Sequence, residues 1–279
     1  MGSLPADVHG LINVLERLAG SYRLSDVYRA LHYVAVETAL LLRGVRSATP
    51  KPPEESVLRL LLSLSRERLR EPLRGVIAWM DKVLSGRAPL VVREGSVEEL
   101  ARLLSESVRR PVDKVVAHDG LSLLEVVASA AYLRSRKAFH AILVDYVFVN
   151  PPGITRYVSE QATRGLRQSL TGVAQMIAQR LGARDYRRVS YVDSVVHEHG
   201  EAGWSVFLEH LDVERIAEEL GELASRGCLL VFSDHGYDVV LDEEGGLYVT
   251  HGYKLEAGEG RVILPLSRFS FVLVVFPAS

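Results

Sequence analysis

From about residue 88 onward, short β-branched runs take turns with stretches of helical spacing, and this alternation restricts the chain to few folds. "APLVV", "DKVVAH", "AFHAILVDYVFV", "RRVSYV" and "CLLVFS" read as strands. Between them, "SVEELARLLSESVR", "LSLLEVVASAAYLRSR", "TRYVSEQATRGLRQSLTGVAQMIAQRLGA" and "DVERIAEELGELASRG" read as helices, the third as one long helix. Strand-helix-strand order of this kind predicts an α/β fold, a mostly parallel sheet sandwiched by helices. The closing runs "GGLYVTHGY" and "FSFVLVVF" read as late strands at an antiparallel edge, and "DEEGG" at 242–246 as a tight turn between strands.

The part before this pattern has apolar residues at three- and four-residue intervals, as in "VHGLINVLERLAGSY" and "LSDVYRALHYVAVETALLLRGV". The three prolines of "SATPKPPEES" interrupt it as a loop would. The expected organisation is therefore an N-terminal helical region, 1–86, and an α/β domain, 87–279. A chain of 279 residues buries a core large enough for both.

Composition mainly excludes. A formal net charge of −2 gives no overall attraction to nucleic acid or anionic lipid. Cys228 is the only cysteine, so neither an internal disulfide nor a cysteine-based zinc site can form, which suits a reducing compartment. The opening "MGSLPADVHG" lacks the basic and apolar regions of a signal peptide, and arginines cut the apolar run "VLRLLLSLSRERL". A cytoplasmic protein with no membrane segment is the expectation.

In open α/β sheets ligands bind beyond the carboxyl ends of the strands. Those ends deliver a set here. Asp119 follows "VVAH", Thr155 follows "VFVNPPGI", Asp193 follows "VSYV", Asp234 and His235 follow "LVFS", and His251 follows "LYVT". Singly, an acid after a strand reads as a helix cap and a histidine as a surface or core residue. Together, a sheet would bring carboxylates, imidazoles and one hydroxyl into a single pocket. His197 lies four residues after Asp193, so one helical turn would place their Cβ atoms about 5–6 Å apart, close enough to hold one ion. Oxygen and imidazole ligands suit zinc, with manganese as the rival.

"DG" at 119–120, "PPGITRY" at 151–157, "DSVVHEHG" at 193–200, "SDHGY" at 233–237 and "THG" at 250–252 resemble, in this order, motifs of the alkaline phosphatase superfamily. The resemblance is greatest to its PglZ-domain branch and to the nucleotide pyrophosphatase/phosphodiesterases. It implies two divalent metal ions, one held by Asp119, Asp234, His235 and Thr155, the other by Asp193, His197 and His251. It further implies that Thr155 is the nucleophile of a phosphohydrolase, a phosphodiesterase above all, with a nucleotide or oligonucleotide among its expected substrates. Arg156 is the cation nearest in sequence and the expected phosphate contact. The resemblance also carries an alternative, a non-catalytic or partner-activated module of a defence or signalling assembly. The N-terminal helices would then dock a protein partner or a second copy.

Overall fold

The computed structural model describes residues 4–45, 48–52, 54–87, 101–102, 105–106, 110–165, 168–252 and 260–278. Helices α1 (Ala6–Ala19), α2 (Leu24–Leu42) and α3 (Ser56–Leu84) come first. Then follow β1 (Lys114–His118), α4 (Leu123–Ser135), β2 (Phe139–Val149), α5 (Thr155–Ala162), α6 (Leu170–Leu181) and β3 (Asp185–Val189). The chain continues through α7 (Tyr191–His199), α8 (Trp204–His210), α9 (Val213–Ala224), β4 (Leu229–Ser233), β5 (Asp238–Leu241), β6 (Leu247–Thr250), β7 (Arg261–Pro265) and β8 (Phe269–Pro277). The expected strand "APLVV" and most of the expected helix "SVEELARLLSESVR" lie outside the described residues.

The main sheet has the order β2-β8-β4-β1-β3. β1 pairs in parallel with β3 and β4, whereas β8 runs antiparallel to both neighbours, β4 and β2. The sheet is therefore mixed rather than mostly parallel. β1, β2, β3 and β4 still point one way, so their carboxyl ends share one edge. β8 is antiparallel as expected but lies inside the sheet, not at its edge. Its run "FSFVLVVF" is apolar at every position because both its faces are covered, and such a run carries no mark of direction. Direction was set by its entry from β7, in a second sheet of order β6-β5-β7.

Strand alternation divides two apolar clusters between the faces. On one face Val116, Leu229, Val231, Phe271 and Leu273 pack with α1 to α4 and α7 to α9. On the other, Val115, Ala117, Leu230, Phe232, Val272 and Val274 meet α5 and α6 through Val158, Ala162, Val173 and Ile177. Helices thus cover both faces. α4 is apolar all round and buried from Leu123 to Leu133, because it lies between the sheet and α1. One apolar cluster runs from Val8 and Leu11 of α1 through α4 to the sheet.

The single long helix expected over 155–183 is two. α5 ends at Thr163, where Arg164 and Gly165 take positive φ values of 53° and 91°, and α6 restarts at Ser169, whose side chain caps Gly172. β3 also stops early: Tyr191 and Val192, read as strand, form the first turn of α7. The turn at 242–246 joins β5 to β6, with Asp242 accepting the Gly246 amide at 2.7 Å.

A buried polar network ties α2 to the core. Ser122 caps α4, and Glu125 returns the bond by accepting the Ser122 amide at 2.7 Å. The other Glu125 oxygen accepts from the hydroxyls of Tyr28 and Tyr237. Trp204 Nε1 donates to His32 Nδ1 at 3.2 Å, which leaves the proton on Nε2 to donate to Tyr237 Oη at 2.8 Å. Burial opposes ionisation of Glu125 and raises its pKa, while its hydrogen bonds oppose that rise. Burial pushes the His32 imidazole down to about 3.

Tyr28→Phe removes a donor to a buried carboxyl and should lower the unfolding free energy by about 1.5–3 kcal/mol in urea titration; a change near zero would show that Glu125 does not depend on it. His32 has a folded pKa below its ordinary 6.5, so the unfolded state binds the extra proton between these values. Its contribution to stability is complete above pH 6.5 and is lost as the pH falls, by up to about 1.4 kcal/mol per unit. His32→Gln should therefore flatten the stability profile between pH 7 and 5, and parallel profiles would refute this.

Candidate metal centre

Each carboxyl-edge loop delivers one or two of the groups. β1 runs into Asp119, and Gly120 follows at φ +77°; a Cβ there would lie 2.9 Å from the Asp193 amide, so glycine lets the start of α7 close on this loop. β4 runs into Asp234 and His235. Thr155 opens α5, and its loop is set by Asn150, which is buried. The Asn150 oxygen accepts the amides of Gly153 and Ile154, while Nδ2 donates to the carbonyls of Ile154 and Asp234 at 3.0 and 2.9 Å. The Thr155 loop and the Asp234 loop are thereby held together. His251 arrives from the second sheet, at the end of β6.

The seven expected residues converge. His235 Nε2 lies 3.4 Å from Thr155 Oγ1, 3.3 Å from Asp119 Oδ1 and 3.5 Å from Asp234 Oδ2. His251 Nε2 is 3.1 Å from Asp193 Oδ1 and 3.2 Å from His197 Nε2, and His197 Nε2 is 3.5 Å from Asp193 Oδ1. The rings of His235 and His251 stack with centroids 4.6 Å apart, joining the two groups. Asp119, Asp234 and His235 have donor atoms within 4.8 Å of one another, as do Asp193, His235 and His251. His199 stacks on His210 at 3.7 Å, on the other side of its helix turn from the pairing of His197 with Asp193.

Electrostatics set these groups apart from structural polar residues. Asp119 and Asp234 are at most 1% exposed. Neither Asp234 oxygen has a hydrogen bond of ordinary geometry, although the Thr155 hydroxyl and the His235 ring sit beside it, and Asp119 Oδ1 has none either. Unpaired buried carboxylate oxygens are expensive. Burial raises the Asp234 pKa, with Asp119 adding to the rise against His235 and Thr155. Burial would raise Asp119 as well, but His235 and Arg188 outweigh it and hold its carboxyl low. For His235, burial lowers the pKa, yet Asp234, Asp119 and the Gly236 carbonyl raise it to about 9.

This donor set fits a divalent cation. His235 Nδ1 faces the Gly236 carbonyl at 2.7 Å, which orients Nε2 toward the carboxylates, the usual arrangement of a ligating imidazole. A cation there would satisfy the unpaired oxygens of Asp119 and Asp234 at once.

Arg156 is exposed and pairs through Nε with Glu160 Oε1 at 2.7 Å, one turn along its own helix. The cation found on the carboxylates is Arg188, on β3, whose Nε donates to Asp119 Oδ2 at 3.0 Å and whose Nη2 donates to the same oxygen. Neither Arg188 nor Asn150 stood out in the sequence. Alternation separates Arg187, paired with Glu219, from Arg188, but which face carries the site depends on the sheet.

If cations bind here, Mn2+ or Zn2+ at about 100 times its Kd should stabilise the protein by about 2.7 kcal/mol. Asp234→Asn should abolish that rise in melting temperature. An undiminished rise in the variant would move the site elsewhere.

Among the described residues, no helix is long and apolar enough to cross a membrane. No protein-family model matches the chain and no curated protein matches it.

Proposed function

We propose that the protein is a metal-dependent phosphohydrolase that uses Thr155 as nucleophile, with phosphodiesters as its expected substrates. One observation carries this reading: the Thr155 hydroxyl sits 3.4 Å from His235 Nε2, against the buried Asp119 and Asp234 carboxylates, with Asp193, His197 and His251 adjoining. A hydroxyl among cation ligands is the arrangement phosphoryl transfer calls for. The order of the motifs, which resembles that of the alkaline phosphatase superfamily and its PglZ-domain branch, supports the same conclusion.

Asp119, Asp234, His235 and Thr155 would hold one cation, and Asp193, His197 and His251 a second; zinc fits these donors, and manganese is the alternative. Bound there, such ions supply Lewis acidity, lowering the cost of the Thr155 alkoxide and neutralising charge on the phosphoryl oxygens. The chain's own residues supply position. Asn150 sets the Thr155 loop, and Thr155 stands at the N-terminus of α5, where the helix dipole favours an anion. Thr155 Oγ attacks phosphorus, forming the Thr–O–P bond as the ester P–O bond breaks and the alcohol departs. Water then cleaves the phosphothreonine, releasing phosphate or its monoester and restoring the hydroxyl.

A second reading, a PglZ-like module activated by a partner in a defence or signalling assembly, draws support from exposed apolar residues. Val57, Leu60 and Leu64 lie along one face of α3, and Leu41 and Leu42 are exposed on α2. Pull-down with an assay of the chain alone separates the two readings.

The metal-loaded chain should hydrolyse a bis-aryl phosphate faster than a mono-aryl phosphate. Thr155→Ala should lose about 10³-fold or more in kcat. Full activity in that variant would remove Thr155 from the role of nucleophile, and a preference for the mono-aryl ester would make the enzyme a phosphomonoesterase.

A further inference from the structure

We infer that Arg188 is the substrate-binding arginine of this site, taking two non-bridging phosphoryl oxygens of the phosphoester in its guanidinium fork. The inference rests on the function proposed above and names a residue that the sequence motifs do not contain.

Arg188 directs Nε and Nη2 to a single oxygen, Asp119 Oδ2, instead of spreading its fork over both. The other oxygen, Oδ1, has no hydrogen bond and faces His235 Nε2 at 3.3 Å. The two carboxylate oxygens therefore face different neighbours, one the cation ligands and one the arginine.

Burial differs as sharply between the partners. The Asp119 side chain is 2% exposed and that of Arg188 is 42% exposed. β3 is an edge strand among the described residues. The carboxylate is fixed while the guanidinium has room to turn. Asp234 and Asp193 also lie close enough to attract it.

Cations on Asp119 and Asp234 would change the balance. They would compete with Arg188 for the Asp119 charge and weaken its hold on that carboxylate. The other oxygen of that carboxylate faces His235, which adjoins the Thr155 hydroxyl, so a freed fork lies beside the groups around which an anion must sit to be attacked. A planar guanidinium matches two phosphoryl oxygens in a way a lysine ammonium does not.

A role in positioning Asp119 predicts something different. Losing a residue that orients a ligand weakens cation affinity by about 10–100-fold. A phosphate contact that competes with the cation does the reverse.

Calorimetry on the full chain distinguishes these outcomes, with Mn2+ as one probe and inorganic phosphate, titrated into the Mn2+-loaded protein, as the other. For Arg188→Met, Mn2+ affinity should be unchanged or tighter and phosphate affinity weaker by about tenfold or more, the loss of at least one charge-assisted hydrogen bond. Arg188→Lys, which keeps the charge without the fork, should fall between wild type and Arg188→Met for phosphate. Unchanged phosphate affinity in Mn2+-loaded Arg188→Met would overturn the inference alone. Mn2+ affinity reduced about tenfold or more in that variant would reassign Arg188 to positioning Asp119. Failure of the wild-type chain to take up Mn2+ or Zn2+ would instead overturn the proposed function, and this inference with it.

Discussion

Carboxylates brought together in a low-dielectric interior repel one another and lose hydration, and that repulsion is the constraint around which this site is arranged. Asp119 and Asp234 sit one residue beyond adjacent parallel strands, so the register His118 to Ser233 forces them side by side. Asp193 joins them across the Gly120 approach. The Arg188 guanidinium answers this charge, and, against burial, the two carboxylates raise the His235 pKa to about 9. The Asp234 oxygens and Asp119 Oδ1 are left without hydrogen bonds, which is the opening a divalent cation would fill.

The loops that carry these groups are braced from behind. Tyr237 lies two residues past His235 and hydrogen-bonds Glu125, His32 and Tyr28, so the loop after β4 is fastened to α4 and to α2. Glu125 also holds the Ser122 amide, three residues beyond Asp119. The N-terminal helices thus reach the site through a polar network as well as through the apolar cluster they share with the sheet. Rigid support of this kind is what ligand geometry demands, since a displacement of about an ångström is enough to spoil it.

Much of the fold was legible because periodicity is local. The β-branched runs became β1, β2, β4 and β8, and the helical spacing of "LSLLEVVASAAYLRSR" became α4. What failed did so for identifiable reasons. "FSFVLVVF" announces a strand buried on both faces and nothing about direction. The run 155–183 keeps helical spacing across a break made by two residues of positive φ, one of them an arginine. "RRVSYVD" hides the strand-to-helix junction because Tyr191 and Val192 suit either element.

The candidate ligands could be picked out from the chain because each follows an apolar run, and in a sheet of co-directed strands that position has one destination. Residues that serve the site from other places left no such trace. Arg188 lies within a strand, Asn150 before a turn, and Glu125 inside an apolar helix. The sequence by itself determined which segments become strands and helices and which acids and imidazoles stand at strand ends, since these follow from spacing along the backbone. Only the tertiary structure decided that β8 enters antiparallel, that Arg188 rather than Arg156 meets Asp119, and that Tyr237 anchors the loop after β4 to α2. The last two of these contacts join positions 69 and 209 residues apart, and strand order, which no local pattern encodes, sets them.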